Sequence, residues 1–386
     1  MNALLGSPST EVISYMELTV RKNDLLPELQ LFQGIIERKN TIPILGNILI
    51  RSEENGVVQL LATDLEVGLR SQSTATVTKA GSITIPAKKL YEIVKSLPET
   101  EIQIKEGVKG SVTILADRFE SRMQTLPKED FPTLPETPKE TPVKLPRAEF
   151  REMVNKTQFA ITGEDTRYFL NGALFLLQPG KMQLVATDGH RLALVETERE
   201  NATNEVEKIQ AILPKKTLWE LSRLLTEGDE PIEYVAGENH LFFNVGERQL
   251  ISRVIDAQFP AYERVVPTGN DKTVEFDRDR LTSVVKRVAL LSSDRSRAVK
   301  LQISSNQLGI TSSSPEVGEA TESFAVEYSG DDVEICFNAQ YVLDFLAVAD
   351  SDTVQLQLKD ETSQAVMKPV GSEGCDYTYV IMPMRV

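Results

Sequence analysis

Short runs such as Ser82–Pro86 and Leu301–Ser305 alternate apolar and polar residues at period two, the pattern of strands with one buried face. Other stretches place apolar residues at helical spacing. Leu90, Ile93, Val94 and Leu97 are the first clear set, and they predict a helix over Lys88–Leu97 with one face on a core. Both kinds of pattern recur. Ile83–Glu99 returns as Ala211–Glu227, with Pro86, Leu90, Ile93 and Leu97 matched by Pro214, Leu218, Leu221 and Leu225. Phe131-Pro132 returns as Phe259-Pro260 at the same displacement of 128 positions, and Leu60–Leu69 returns as Leu184–Leu194. A more divergent third copy follows Asp271. Its Thr273–Leu291 resembles Pro142–Ala160 and Met16–Gly34, and its Glu334–Asp350 takes the second-helix position, with Val342, Phe345, Leu346 and Ala349 as apolar positions.

Each copy is long enough to bury a core of its own, so the repeats are whole small domains and not units of a solenoid. Within a copy the order is strand, helix, alternating strands, second helix and further alternating strands. This predicts an α+β unit of two helices packed on antiparallel sheet. The expected division is a disordered leader at 1–15, then domains at 16–137, 138–269 and 270–386. Pro132–Pro142, rich in Pro, Glu, Thr and Lys, reads as an extended linker.

Composition excludes several classes. In 386 residues, 41% hydrophobic and 26% charged, no apolar run approaches the length of a membrane span, and residues 1–15 lack the basic and apolar regions of a secretion signal. The two cysteines, Cys336 and Cys375, match no zinc or redox spacing and are expected as buried free thiols in a reducing cytoplasm. A net charge of -15 argues against a protein that coats nucleic acid, but the charge is unevenly placed. The helix candidates Lys88–Leu97, Arg147–Gln158, Lys215–Leu225 and Arg278–Leu291 carry 13 basic and 5 acidic residues, against 42 and 57 in the whole chain. Lys88 and Lys95 share one helical face, and Lys216 and Arg223 stand at the equivalent places. Basic faces gathered in an acidic protein attract a polyanion locally. With no base-reading motif, any nucleic-acid contact should be to phosphates and blind to sequence.

The stretch Val185–Glu196, VATDGHRLALVE, concentrates Asp188, Gly189, His190 and Arg191 between two strands. Adjacent Asp and His are not a proton-transfer pair unless their side chains reach one another, and the chain has neither a nucleophile elbow nor an acidic metal cluster. The first copy carries Thr63-Asp64-Leu65-Glu66 at this place, which marks the shared Thr-Asp as a structural turn and Gly-His-Arg as particular to the second copy.

The three copies, together with TIPILGNILI at Thr41–Ile50, TRYFLNGALF at Thr166–Phe175, ATDGHRLA at Ala186–Ala193, FPAYERVVP at Phe259–Pro267, FNAQYVLDFL at Phe337–Leu346 and YVIMPMRV at Tyr379–Val386, closely resemble the bacterial DNA polymerase III beta subunits, the replicative sliding clamps. The resemblance runs from Met16 to the end. It implies a non-catalytic processivity protein with no catalytic residue, metal or cofactor, acting as a head-to-tail homodimer whose six domains close a ring around duplex DNA. It further implies a groove for short linear peptides of the polymerase III alpha subunit, the clamp loader and repair proteins. Carried over, that groove is Leu170, Thr187, Gly189, His190, Arg191, Leu192, Pro260, Arg264, Val265, Val380, Met382, Pro383, Met384 and Arg385, with an adaptable apolar floor and arginines addressing the peptide's polar groups. The DNA contacts carried over are Lys39, Lys88, Tyr168, Phe169, Lys215 and Lys216. Glu164 stands where a neutral polar residue is usual, and Phe169 where a second tyrosine often lies. The dimer contacts are Arg118 and Phe119 on one side and Leu290 and Leu291 on the other.

Overall fold

A computed structural model describes residues 15–36, 41–52, 56–108, 110–198, 208–226, 228–372 and 374–385. The chain divides into two compact units, each described by itself, and the division does not follow the sequence repeats.

The first unit comprises residues 1–142 and 232–252. Its helices, α1 (Lys22–Ile35) and α2 (Ala87–Ser96), pack on each other, and its strands form two antiparallel sheets. Thr76–Lys79, Glu17–Arg21, Glu101–Gly107, Ser111–Ala116 and Phe119–Gln124 follow one another across the first sheet. The second sheet holds the remaining first-copy strands and continues into the second copy: Val67–Thr74 pairs with Arg248–Arg253, setting Gly68 opposite Ile251 and Leu69 opposite Leu250. A sheet shared by consecutive copies explains why residues 232–252 leave the rest of their repeat. The predicted apolar face of α2 is seen in buried Leu90, Val94 and Leu97, while Ile93 is half-buried. Pro86 ends the preceding strand at φ -55, already near helical φ.

The stretch expected as a linker, Pro132–Pro142, has no regular structure but is not a free spacer. Leu134 and the neighbouring Phe131 are buried in a cluster with Ile44, Leu45, Leu49, Leu61, Val235, Phe242 and Ile251. Farther along, Glu136 pairs with Arg70 at 3.3 Å, and the Thr137 hydroxyl accepts from Gln249 at 2.9 Å. Burial of two apolar side chains outweighs the composition that suggested a solvated tether.

Among the described residues, the second unit, residues 143–231 and 253–386, has four α-helices: α3 (Arg147–Thr157), α4 (Lys215–Leu224), α5 (Arg278–Val288) and α6 (Ala339–Val348). Its eight-stranded sheet runs Ile209–Pro214, Gly172–Gln178, Lys181–Thr187, Arg191–Glu198, Asp376–Ile381, Ala365–Pro369, Thr353–Leu358 and Lys272–Asp277. Copies two and three join at its middle, where Arg191–Glu198 pairs with Asp376–Ile381 and Leu192 faces Val380. A four-stranded sheet completes the third copy, with Gly318–Ala325 at one end. The third copy's predicted apolar positions Val342, Phe345, Leu346 and Ala349 are all buried. Cys375 is buried as expected, whereas Cys336 is half-buried, and both are free thiols. Among the described residues no helix is long and apolar enough to cross a membrane.

One device is repeated in every copy. The first residue of the first helix is a cation that donates to carbonyls at the end of the second helix. Lys22 Nζ reaches the carbonyls of Leu97 and Lys95, Arg147 Nη2 reaches Leu224 at 2.9 Å, and Arg278 Nη1 reaches Ala349 at 2.9 Å. Each cation satisfies orphan acceptors at the negative end of a helix dipole.

Candidate functional site

The conspicuous feature of the second unit is an apolar groove of about 250 Å³ on its large sheet, where the strands of copies two and three meet. Leu192 and Val380, paired across that seam, form its floor together with Met382 from the chain just beyond the last strand. Pro260, Tyr262 and Val265 form one wall, and Arg167, Phe169 and Leu170 another. Thr187, Gly189, His190 and Arg191 close the end. Beneath the lining lies a buried cluster that includes Leu174, Val185, Ile212, Phe259 and Val366, with Phe169 and Val265 packed against it. The floor is therefore a continuation of the core, which fixes its shape.

The turn at the end follows directly from its sequence. Asp188 Oδ1 accepts from the backbone N–H groups of His190 at 2.9 Å and Arg191 at 3.0 Å, and Thr187 Oγ1 donates to the Arg191 carbonyl at 2.6 Å. The first copy repeats these bonds. Asp64 Oδ1 accepts from Glu66 at 2.9 Å and Val67 at 2.7 Å, and Thr63 Oγ1 donates to the Val67 carbonyl at 3.0 Å. Both turns need a left-handed residue, Leu65 at φ 79 and Gly189 at φ 88. A Cβ on Gly189 would also stand 3.1 Å from Arg167 Nη1.

Asp188 and His190 do not form an acid-base pair. The carboxylate is spent on the two turn amides and on Arg191 Nε at 3.0 Å, while His190 is exposed and its carbonyl accepts from Met382 N–H at 2.9 Å. His190 thus ties the turn to the strand end that carries Met382.

Arg191 departs from expectation. Its side chain is 9% exposed, and Nη1 donates to Asp344 of α6 at 2.5 Å and Nη2 to the Phe159 carbonyl at 2.9 Å. The guanidinium lies 4.3 Å from the Tyr341 ring centroid and 5.2 Å from that of Phe159. Burial opposes its charge, but Tyr379, Asp344 and Asp188 outweigh that and raise its pKa further. At neutral pH the carboxylates are the effective partners, because burial also raises the Tyr379 phenol and keeps it protonated. Arg191 contributes its stem to the groove and its charge to the fold.

The rim cation that sequence reasoning placed elsewhere is Arg167. Its side chain is 51% exposed, and Nη2 forks to Asp165 Oδ2 at 2.8 Å and the Asp188 carbonyl at 3.5 Å. Arg167 in turn holds the Asp165 carboxyl down to about 2. Tyr262 was also outside the expected set, although its place between Pro260 and Val265 was a usable signal. Of the expected groove residues, Leu170, Thr187, Gly189, His190, Arg191, Leu192, Pro260, Val265, Val380 and Met382 come together, and Arg264, Pro383, Met384 and Arg385 lie outside the lining. Arg264 is exposed at the end of the short turn Tyr262–Arg264, and Met384 N–H donates to the Cys336 carbonyl at 2.8 Å.

The residues expected on DNA are not alike. Lys88 and Tyr168 are exposed, Lys216 is half-buried, and Phe169 faces the groove. Lys215 Nζ donates to the Ile161 carbonyl at 2.9 Å, and burial, aided by the Arg191 charge, pushes its pKa down. Lys39 and the leader up to residue 14 lie outside the described residues. Of the dimer residues, Arg118, Phe119 and Leu290 are exposed and Leu291 is half-buried. Among the described residues no group of three or more His, Cys, Asp and Glu is placed to hold a metal ion.

Three family models match in succession: the DNA polymerase III beta subunit N-terminal domain over residues 16–135, its central domain over 144–261 and its C-terminal domain over 263–385. The chain belongs to the beta sliding clamp family. The beta sliding clamp of Pseudomonas aeruginosa is 38% identical over 375 residues, covering 96% of this chain and 100% of the relative. A crystal structure of the sliding clamp from that organism, bound to griselimycin, superposes with a TM-score of 0.89 at 38% identity, covering 96% of this chain and 100% of that one. One from Bartonella birtlesii, also bound to griselimycin, gives 0.90 at 36% identity over the same shares. As a beta clamp, the chain is a replicative processivity factor of DNA polymerase III with three clamp domains and no chemistry of its own.

Proposed function

We propose that this clamp works as a head-to-tail homodimer, a closed ring of six domains with duplex DNA passing through it, divided in each chain at 16–137, 138–269 and 270–386. The groove receives short linear peptides of the polymerase III alpha subunit, the clamp loader and repair proteins, in the cytoplasm. The observation that carries this reading is the groove itself: a preformed apolar floor at the seam of two domains, with a methionine in that floor and one half-exposed cation on its rim. Two open sheet ends support the assembly. Phe119–Gln124 and Gly318–Ala325 are terminal strands of their sheets with largely exposed side chains, and an open edge offers backbone groups with which a strand of another chain can pair. Lys88 and Lys216 then serve the DNA through phosphate contact.

The test is topological. Placed on circular DNA by a clamp loader, the protein should stay bound and should be lost when the same DNA is linearised. Lys88→Glu with Lys216→Glu should reduce loading. Equal retention on circular and linear DNA would overturn the ring.

A further inference from the structure

The chain has a single tryptophan, Trp219, and it is exposed. It lies in α4 with 57% of its surface in solvent, although an indole is a large apolar group that folding normally covers. Thr217, Leu218, Leu221 and Leu224 already supply the buried face of the helix, and Trp219 stands outside it with more than half of its surface uncovered. Its helical neighbours are cationic, with Lys216 three positions before it and Arg223 four positions after it on the same side.

The first copy repeats the arrangement. Tyr91 of α2 occupies the position equivalent to Trp219, 128 residues earlier, and is half-buried between exposed Lys88 and Lys95. The Lys95 ammonium lies 5.5 Å from the Tyr91 ring centroid. Two copies thus put an aromatic ring among cations on the outer face of the second helix, where lysine alone would serve a solvated surface. In an acidic protein, a basic face with a planar ring at its centre complements a polyanion that also presents apolar sugar and base surface.

We propose that Trp219 is a DNA-contact residue, its indole packing against the sugar–phosphate backbone of the enclosed duplex while Lys216 meets the adjacent phosphate. This rests on the ring reading above, because that reading turns the basic helices toward the DNA. The contact is blind to sequence, and its apolar part is insensitive to salt, unlike the phosphate contacts around it.

As the sole tryptophan, Trp219 is its own reporter. The full-length clamp is loaded onto a nicked circular plasmid, isolated by gel filtration, and its tryptophan emission compared before and after linearisation. Emission should be quenched on the circle and recover on release. In equilibrium titrations with a linear duplex at low salt, Trp219→Ala should weaken binding about five- to tenfold, the low end of the range for one aromatic–base contact. It should leave the slope of log affinity against log salt unchanged, and Trp219→Phe should recover part of the loss. Lys216→Ala should instead reduce that slope by about one phosphate contact. If the protein is retained on the circle with unchanged emission and Trp219→Ala binds like wild type, the proposal is wrong and the ring stands. Quenching by single-stranded circles alone would overturn the duplex contact, and failure of the wild type to stay on any circle would remove both.

Discussion

At the scale of single residues, the Asp-centred turn shows one backbone solution carrying different side chains. The first copy holds Leu65 at φ 79 where the second has Gly189 at φ 88. A left-handed leucine costs about 1–2 kcal/mol, and glycine gives back roughly 0.5–1 kcal/mol through the freer unfolded chain. Leu65→Gly should therefore be neutral or stabilising by up to about 1 kcal/mol in urea unfolding, and Gly189→Ala should destabilise by about 1–2 kcal/mol. In the groove, Met382 is a floor residue and His190 an exposed wall. Met382→Ala should weaken a fluorescent partner peptide by about 1–4 kcal/mol in anisotropy, and His190→Ala by about 1 kcal/mol, with dimer size unchanged in both. Unaltered affinity in both variants would refute the groove assignment. Burial raises the Cys375 thiol from 9.0 to about 12, with Glu152 reinforcing the shift. The folded state keeps a proton there that the unfolded state releases above pH 9, so this group's contribution to stability is complete below pH 9.0 and is lost as pH rises toward 12. Cys375→Ala should flatten the alkaline fall in stability, read as melting temperature from pH 9 upward toward 12.

At the scale of elements, the three copies agree most closely in a contact that apolar periodicity does not show. Lys22, Arg147 and Arg278 each open the first helix of a copy and tie down the end of the second. Buried Arg147 is the strongest case, since a charge-assisted bond to an orphan carbonyl is worth about 1.5–3 kcal/mol. Arg147→Met should destabilise by about that amount in denaturant titration, and Lys22→Met, with its partly exposed ammonium, by less. The helices themselves were legible because their apolar spacing is local. The role of residues 131–142 was not, since proline-rich composition describes a chain's stiffness and says nothing of whether Phe131 and Leu134 find a cluster to enter.

At the scale of the whole molecule, sheets are shared between neighbouring copies, so repeat boundaries and compact units differ. The proposed ring applies the same economy between chains, with the open strands Phe119–Gln124 and Gly318–Ala325 as the meeting edges. Leu290, 78% exposed, and half-buried Leu291 stand beside the latter sheet in the turn Ala289–Leu291. Leu291→Asp should convert dimer to monomer in light scattering, because a buried unpaired carboxylate costs several kcal/mol. A dimer of unchanged size would remove that assignment. The sequence alone determined the triplication, the α+β character of each copy and the Thr-Asp turn, because periodicity, turn chemistry and repeat spacing act over a few residues or recur visibly; the segments that meet in the groove were implied only by the resemblance to the clamp family. Only the tertiary structure decided which cations remain available. Arg191 is spent on Asp344, 153 positions away, and Lys215 on Ile161, 54 positions away, while Arg167, although paired with Asp165, keeps half its side chain in solvent at the rim. The distant partners are set by what folding brings within about 3 Å, and no local pattern records a partner such as Asp344 or the Ile161 carbonyl.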